Sequence, residues 1–426
     1  MYAGDAKPRP RPGFFFKEPG MKENSHVKDQ YMRWPYPEPV YDLEEFFNTR
    51  KQLGCPSTDR GFYNAFPRRD RFNARILIAG CGAYQAAAVA YKNPESEVVG
   101  VDVSTTSLGL TDDLKRKHEL SNLTLHEMSL LDIGGLEKPF DLIISTGVIH
   151  HLPDPPLALD AFKSVLDERG VAHIMVYGTT LRTGIYWLQD AFKNLGIEPS
   201  TEADVWSALD FIKKLPKHHP VHAYIAIAKD DMAFPGGIID TFFHSQDTSY
   251  TLKEVFELVE SKGLVFNGFT NNADYFDECV LGDTIREHYL DQFSELPFFE
   301  QAKCVDMFGG HRGTHRFYVS QHKTFNLNDT APSDEFDEVV PALVGLQKYE
   351  TEKGVGMAYR LEPYPEFYPA RAMIAVTDLI NARRTFGDIT DELSKQNAGL
   401  SRSQVSELVF KVSKDLWMRG TLIFVA

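Results

Sequence analysis

The sequence predicts an α/β fold built on a doubly wound parallel sheet. Two observations support this prediction. Short, continuous apolar segments, such as residues 76–79 and 98–101, alternate with helical patterns through the first half of the chain. Segments of this kind are typical of strands that are buried on both faces. Strands that alternate with helices are in turn typical of parallel sheets with helices on each side.

The first predicted strand leads directly into a glycine-rich turn. Gly80 and Gly82 follow residues 76–79, and glycines there allow a sharp turn and a close approach of ligand to backbone. The second strand ends in Asp102, whose carboxylate can accept hydrogen bonds from ribose hydroxyls. The pattern also fits an ordinary tight turn, because Gln85 stands where a dinucleotide-binding fingerprint has its third glycine.

Three more strands are predicted at residues 123–126, 141–146 and 171–177. Ser104 is expected to cap the helix after the second strand, and Gly170 is expected to end the helix before the fifth. Ligands of such sheets bind at the carboxyl ends of the strands. The residues predicted there to form one nucleoside-binding crevice are Ala79, Gly80, Cys81, Gly82, Asp102, Val103, Ser129, Leu130, Thr146 and Gly147.

Composition narrows the class of protein. With 426 residues the chain can form two or three domains, and its apolar share of 43% fits a well-packed protein. Its net charge of −15 argues against a nucleic-acid or anionic-membrane binder, which would be basic. The four cysteines are widely spaced and no apolar run is long enough to cross a membrane. A reducing, cytoplasmic location is therefore expected.

The two ends of the chain differ in character from its middle. Residues 1–70 form an N-terminal arm that contains Gln30-Tyr-Met-Arg-Trp-Pro-Tyr-Pro; these aromatics and prolines can seal a groove or pack as a surface strap. Residues 341–426 are predicted to form a winged-helix-like module of three helices, at 370–383, 388–395 and 402–417, and a strand. Its last helix lacks the strongly basic face of a DNA reader, which favours dimerisation or a protein partner.

Several motifs resemble those of class I S-adenosylmethionine-dependent methyltransferases, over roughly residues 72–177. They are Ile-Leu-Ile-Ala-Gly-Cys-Gly82, Val-Val-Gly-Val-Asp102, the stretch from Phe140 that ends in His-His-Leu-Pro-Asp-Pro155, and the fifth strand that ends at Gly178. The N-terminal strap is similar to one found in some bacterial members. The resemblance implies a Rossmann-like domain whose doubly wound, mostly parallel sheet has seven strands, the last two forming an antiparallel pair. It also implies S-adenosyl-L-methionine as the cofactor and methylation as the activity.

The resemblance also implies where catalysis takes place. It predicts a methyltransferase domain over residues 71–325 with lid insertions at about 178–250 and 271–315. In this family the end of the fourth strand, which precedes His150 and His151, faces the transferred methyl group. A neutral imidazole there can take the acceptor's proton near neutral pH. The sequence favours His150 in this role, with Asp240 and His244 on the lid as rival bases.

Other interpretations were weighed against this one. The groups His218-His219-x-x-His222 and His311-x-x-x-His315 lack the carboxylates expected beside a metal, so no metal site is predicted. Two functions stay open: a methyltransferase that acts on an unidentified small-molecule or peptide/protein acceptor, and an S-adenosylmethionine-binding regulator that acts through the C-terminal module. A nicotinamide-dependent enzyme is a third alternative.

Overall fold

The computed structural model of the protein describes residues 25–49, 73–137, 139–323, 325, 327, 331–350, 357–360 and 367–425. Within these ranges no helix has both the length and the apolar character needed to cross a bilayer. Two large clusters of buried apolar side chains cover the two faces of the central sheet, and separate clusters lie in the insertions and in the C-terminal part.

The central sheet has mostly parallel strands. These strands are β1 (Arg75–Ala79), β2 (Glu97–Asp102), β3 (Leu123–Glu127), β4 (Phe140–Thr146), β5 (Leu166–Gly178), β6 (Ser249–Tyr250), β7 (Val265–Phe269) and β8 (Thr314–Ser320). In the described residues the row runs β3-β2-β1-β4-β5-β8-β7, and β6 pairs with the end of β5. Only β8 runs antiparallel to its neighbours in that row. The predicted doubly wound, seven-stranded arrangement is therefore confirmed.

Helices flank the sheet and build the additions to it. They are α1 (Ser25–Arg33), α2 (Leu43–Thr49), α3 (Gln85–Lys92), α4 (Thr105–Lys117), α5 (Pro156–Val165), α6 (Thr179–Leu195), α7 (Glu202–Lys213), α8 (Val221–Ile227), α9 (Pro235–Phe242), α10 (Leu252–Glu260), α11 (Asp277–Val280), α12 (Thr284–His288), α13 (Leu290–Ser294), α14 (Phe298–Gly309), α15 (Asp334–Glu338), α16 (Arg371–Leu379), α17 (Phe386–Gln396) and α18 (Arg402–Met418). The predicted cap of α4 is confirmed, because the amide of Ser107 donates to the Ser104 hydroxyl.

One predicted boundary is wrong. The helix α5 ends at Val165 rather than near Gly170, because Leu166 already pairs with Phe140 and so belongs to β5. Gly170 instead allows close packing inside the sheet, since a Cβ atom there would lie 2.7 Å from the Phe140 carbonyl oxygen. A glycine is therefore a sheet-packing requirement at this position rather than a helix stop.

The insertion over residues 178–250 forms a small helical layer above the carboxyl ends of the strands. Its helices α6 to α9 share their own apolar cluster, which includes Ile185, Val205, Ile212 and Phe242. After α9 the chain passes through a short loop, residues 243–248, and rejoins the sheet as β6 beside the end of β5. This return places the last turn of α9 and the loop directly over the sheet edge.

The C-terminal part contains α15 to α18 and the short strands β9 (Pro341–Leu343), β10 (Gln347–Glu350), β11 (Met357–Arg360) and β12 (Leu422–Phe424). Its three longest helices begin close to their predicted starts and pack around the buried Trp417. The first, α16, ends at Leu379 rather than at the predicted residue 383, because the backbone is extended at Ile380. This part contacts the second insertion, because Asn272 donates to the Trp417 carbonyl oxygen and Arg419 pairs with Glu278. Its winged-helix character stays a prediction.

The N-terminal strap, defined here as residues 25–39, bridges the sheet and the first insertion. At one end Lys28 pairs with Glu127, the last residue of β3, at 3.0 Å. Farther along, the Gln30 side chain accepts a hydrogen bond from the Ser245 amide, and Tyr36 stacks on Phe234 with ring centroids 6.1 Å apart. The strap therefore crosses the carboxyl ends of the strands, where the sequence predicts the ligand.

Candidate active site

The glycine turn after β1 has the backbone conformation that the sequence predicts. Gly80 and Gly82 have φ angles of +79° and +55°, in the region that favours glycine. A Cβ atom on Gly80 would lie 2.4 Å from Val148, and one on Gly82 would lie 3.0 Å from Pro37 of the strap. Both glycines are therefore required by conformation and by space, and the strap lies directly against the turn.

Asp102 connects the end of β2 to this turn. One carboxylate oxygen accepts a hydrogen bond from the Gly82 amide and the other accepts one from the Ser104 amide, each at 2.8 Å. Burial raises the pKa of Asp102, while these backbone amides oppose the rise. Each carboxylate oxygen can accept more than one hydrogen bond, so the side chain keeps acceptor capacity for a ligand.

The other predicted crevice residues also lie at the carboxyl ends of the strands. Ala79 ends β1 and Thr146 ends β4, and Gly147 after it has a φ angle of +77°. Ser129 uses its hydroxyl to accept from the Leu131 amide at the start of a short helical turn, so that hydroxyl is partly engaged. Cys81, Val103 and Leu130 follow β1, β2 and β3. The structure thus brings all the predicted pieces to one edge of the sheet.

His150 is enclosed beneath the loop after β4. Its side chain is fully buried, and neither ring nitrogen has a hydrogen-bond partner among the described residues. The ring lies against Tyr177 at the end of β5, with centroids 3.8 Å apart. Burial, followed by the neighbouring His151, lowers the pKa of His150 well below its ordinary value. The imidazole is therefore neutral and serves as packing for Tyr177.

The peptide group of Gln246 bonds to one ring nitrogen of His151 and one ring nitrogen of His244. Nδ1 of His151 lies 2.8 Å from the Gln246 carbonyl oxygen, which can only accept, so this nitrogen carries the proton. Nδ1 of His244 accepts from the Gln246 amide at 3.0 Å, so its proton lies on Nε2. The two rings stack with centroids 3.8 Å apart. Nδ1 is therefore a donor in His151 and an acceptor in His244.

Nε2 of His151 is the ring nitrogen that this peptide group leaves unbonded. It is buried and has no hydrogen-bond partner among the described residues. A buried acceptor without a donor costs free energy, on the order of 1–3 kcal/mol. In a packed site this unmet requirement points to a donor that a ligand supplies.

Asp240, near the end of α9, is the buried acid beside these rings. Its two oxygens accept hydrogen bonds from the hydroxyls of Tyr31 at 2.9 Å and Tyr177 at 2.8 Å. Since both oxygens accept, the side chain is in the carboxylate form. Burial raises the pKa of Asp240, and His151 and the two phenols oppose that rise. Tyr31 also accepts from Nε2 of His244 at 3.2 Å, which joins the strap to the lid.

A buried ion pair packs against the Tyr177 side of this cluster. Arg182 on α6 and Asp247 lie 2.9 Å apart, and each side chain is only 1% exposed. The guanidinium also lies over the Tyr177 ring, 3.6 Å from its centroid, and donates to the Tyr224 hydroxyl. Arg182 is thus paired with Asp247. Among the described residues, Asp240 has no arginine or lysine partner.

The arrangement also meets a distance criterion for metal binding. One nitrogen each of His151 and His244 and one oxygen of Asp240 lie within 4.8 Å of one another. The protonated Nε2 of His244 cannot ligate a metal, however, and its Nδ1 is occupied by the Gln246 amide. The other histidine groups have partners as well: His315 bonds to Tyr275 and to the Tyr250 carbonyl oxygen, and His219 accepts from the Val221 amide.

Comparison with known proteins identifies the central domain. Residues 71–192 match the model of a family described as a methyltransferase domain. This part of the chain is therefore similar to a methyltransferase domain. An uncharacterized protein of Synechococcus sp. is 26% identical over 245 residues, which are 55% of this chain and 57% of that protein. The match therefore spans little more than half the length of that curated relative.

Solved structures show the same fold. PKMT2 from Rickettsia typhi, in complex with AdoHcy, superposes with a TM-score of 0.58 and 14% identity, over 91% of this chain and 77% of that one. A second structure of PKMT2 gives 0.56 and 15%, over 94% and 75%. At such low identity the likeness establishes the class I methyltransferase fold alone. The fold extends well beyond the residues that the family model matches.

Several residues of this methyltransferase site were not singled out as site residues from sequence. Tyr177, Arg182 and Asp247 stand in ordinary helix, strand and loop patterns, which carry no sign that they meet. Tyr31 lies in the Gln-Tyr…Pro-Tyr-Pro segment that the sequence did mark, so its position could have been expected. The Gln246 peptide acts through its backbone, and no residue pattern reports that.

Proposed function

We propose that this protein transfers a methyl group from S-adenosylmethionine to an acceptor that is a small molecule or a peptide or protein. The methyltransferase domain and the fold shared with an AdoHcy-bound structure support this cofactor. The observation that carries the proposal is Asp102, which lies at the end of β2 within hydrogen-bond distance of the Gly82 amide. This combination of acid and bare turn suits an adenosine whose ribose hydroxyls donate to the carboxylate.

The residues proposed to hold the cofactor are those at the carboxyl ends of β1 to β4. Gly80 and Gly82 would let the backbone turn sharply beside the ligand, and Asp102 would accept from the ribose. Ala79, Cys81, Val103, Ser129, Leu130, Thr146 and Gly147 would form the remaining walls. When bound, S-adenosylmethionine supplies an activated methyl group, so the protein's contribution is orientation, exclusion of water and acceptance of a proton.

Among the catalytic candidates, the geometry favours His151 as the proton acceptor. His150, which the sequence favoured, packs against Tyr177 and faces no donor or acid. His151 has a lone pair on Nε2, and the Asp240 carboxylate lies close enough to stabilise the imidazolium that forms. His244 would orient Tyr31 through its Nε2 proton, and Asp240 would supply the negative charge.

The cofactor assignment can be tested without knowledge of the acceptor. Isothermal titration of the full-length protein with S-adenosylmethionine and S-adenosylhomocysteine should give saturable binding of both. Titration with NADH should give none. If neither sulfur compound binds while NADH does, the proposed function is wrong and the crevice serves a dinucleotide.

The catalytic assignment requires methyl transfer from the methyl-tritiated cofactor to fractions of peptides and small molecules. With an active fraction, His151→Ala should lower turnover by about 10²–10⁴-fold at unchanged cofactor affinity. His150→Ala should have a smaller effect, and His288→Ala, at an exposed position on α12, should have none. If His150→Ala is the more damaging variant, the assignment of His151 falls.

We further propose the division of the chain into an arm at residues 1–70, a methyltransferase domain at 71–325 and a C-terminal module at 341–426. Its support is the separate apolar cluster around Trp417, which the sheet clusters do not share. A chain that ends at residue 325 should still bind S-adenosylmethionine. If the shortened chain is soluble and folded but does not bind, the module is part of the cofactor site.

A further inference from the structure

We propose, on the basis of the methyltransferase function above, that the acceptor is a primary or secondary amine whose nitrogen binds between His151 and Asp240. The proposal begins from an excess of acceptors in a buried site. Nε2 of His151 has no donor, and the Asp240 carboxylate is satisfied only by two phenols. The ligand that completes such a site has several hydrogen-bond donors.

The distances fit one nitrogen atom between two acceptors. One ring nitrogen of His151 and one carboxylate oxygen of Asp240 are at most 4.8 Å apart. An atom about 2.9 Å from both would subtend an angle of at most about 112°, close to the tetrahedral angle between two N–H bonds. An alcohol or thiol has one such bond and can satisfy only one of the two acceptors. An amine satisfies both.

The charges of Asp240 and Asp231 also favour an amine, which binds as an ammonium cation. No arginine or lysine among the described residues pairs with Asp240, since Arg182 is paired with Asp247. Asp231 lies close enough to interact with Asp240, and burial, followed by the Asp240 charge, raises the pKa of Asp231 to about 6. An ammonium group would supply a cationic partner for Asp240 and would offset the effect of the Asp240 charge on the pKa of Asp231. A carboxylate acceptor would add to the negative charge and is disfavoured.

The walls of the cluster are aromatic. Tyr31 and Tyr177 donate to Asp240, and Tyr36 of the strap donates to Asp231 at 3.3 Å. Tyrosine rings attract cations through their faces, and this attraction is strongest where water is excluded. The net charge of −15 on the whole chain also favours the approach of cationic acceptors.

A divalent cation would also neutralise the charge of Asp240, but the cluster offers too few ligands for it. The Gln246 amide fixes His244 with its proton on Nε2, so only His151 and Asp240 could ligate a metal. Two protein ligands are fewer than zinc takes in structural or catalytic sites. An amine requires no ligation by His244, whose Nε2 remains bonded to Tyr31.

The chemical step balances with the groups present. The bound ammonium gives one proton to Nε2 of His151, which becomes an imidazolium beside Asp240. The amine lone pair then forms the C–N bond to the methyl carbon while the C–S bond breaks, and its electron pair leaves on sulfur. The products are a methylated ammonium and S-adenosylhomocysteine, and His151 returns its proton to solvent on product release.

The test measures ligand binding to the full-length protein, without turnover. The protein is labelled at its histidine ring nitrogens, and the His151 resonances are followed by NMR during titration with n-butylammonium, tetramethylammonium or n-butanol. We expect n-butylammonium to shift the Nε2 resonance and to bind at least about 10-fold more tightly than the other two, because only it combines charge with N–H donors. Zn²⁺ is titrated separately.

Substitutions test whether n-butylammonium binds at this cluster. Asp240→Asn should weaken n-butylammonium binding at least about 10-fold, and so should His151→Gln. Asp210→Asn, at an exposed position on α7, should have no effect. Circular dichroism confirms that each variant is folded, and if Asp240→Asn is not, His151→Gln decides.

The proposal is overturned if n-butanol or tetramethylammonium binds as tightly as n-butylammonium, or if the folded variants keep full affinity. Tight Zn²⁺ binding that needs His151, Asp240 and His244 together also overturns it, in favour of a metal site. Failure to bind S-adenosylmethionine would refute the proposed function instead. Cofactor binding without any amine response refutes the amine alone.

Discussion

Replacement of Asp102 by alanine tests the cofactor crevice most directly. In the structure the carboxylate accepts two backbone hydrogen bonds, from Gly82 and Ser104, and it has capacity left for both ribose hydroxyls. Hydrogen bonds to a charged group contribute about 1.5–3 kcal/mol. If the variant loses the binding free energy of one such hydrogen bond, its affinity for S-adenosylmethionine should fall about 10- to 150-fold. The lost backbone bonds should also lower the melting temperature.

The assay is isothermal titration at constant salt, with circular dichroism melts for each variant. Asp102→Asn separates the two effects, because an amide oxygen can still accept one hydrogen bond while its NH₂ group repels the donor that it faces. We expect its affinity to lie between those of the wild type and Asp102→Ala. Asp112→Ala, on the exposed side of α4, is the matched control. Unchanged affinity in a folded Asp102→Ala protein would remove this acid from the site.

Three other predictions follow from the structure. Gly82→Val should abolish cofactor binding in titration, because its φ is +55° and a Cβ atom would lie 3.0 Å from Pro37; retained binding would show that the turn is not the ligand site. Arg182→Met should lower the free energy of unfolding in urea by about 3–5 kcal/mol, since it leaves Asp247 charged and buried; a loss below about 1 kcal/mol would contradict this. Burial, followed by the charge of Arg316, lowers the pKa of His173 to about 3 from 6.5, so the folded state binds fewer protons than the unfolded state below pH 6.5. Its contribution to stability is complete above pH 6.5 and is lost at roughly 1.4 kcal/mol per pH unit as the pH falls towards 3; His173→Gln should flatten that slope, and an identical slope would contradict the assignment.

The parts of the fold that follow from local chemistry were predictable. The strand before Gly80 is apolar without alternation, and Asp102 ends the next strand, so these two strands and the glycine turn between them could be placed. The last long helix was also placed closely, because Ser401 caps its start and Gly420 follows its end. Such features depend on a few neighbouring residues and on nothing far away.

The cluster of side chains around Asp240 depends on contacts between distant parts of the chain. Tyr31 and Asp240 are separated by 209 positions, and Tyr177 and Asp240 by 63. No periodicity in a single segment reports such a meeting. The choice between His150 and His151 was unpredictable for the same reason, since it depends on the Gln246 carbonyl oxygen and the Tyr177 ring. The end of α5 was misplaced because sheet pairing of Leu166 overrides helical propensity.

The Gln246 peptide group has a consequence for how this site can change in evolution. Its N–H and C=O select opposite tautomers of His244 and His151, and every amino acid except proline supplies the same two groups. Substitutions at this position can therefore accumulate without altering proton positions, whereas a proline would remove the amide donor. A shift in the loop over residues 243–248 could reverse both imidazoles at once. The chemistry of this pocket is thus encoded by loop length and path, which a residue-by-residue comparison of relatives would overlook.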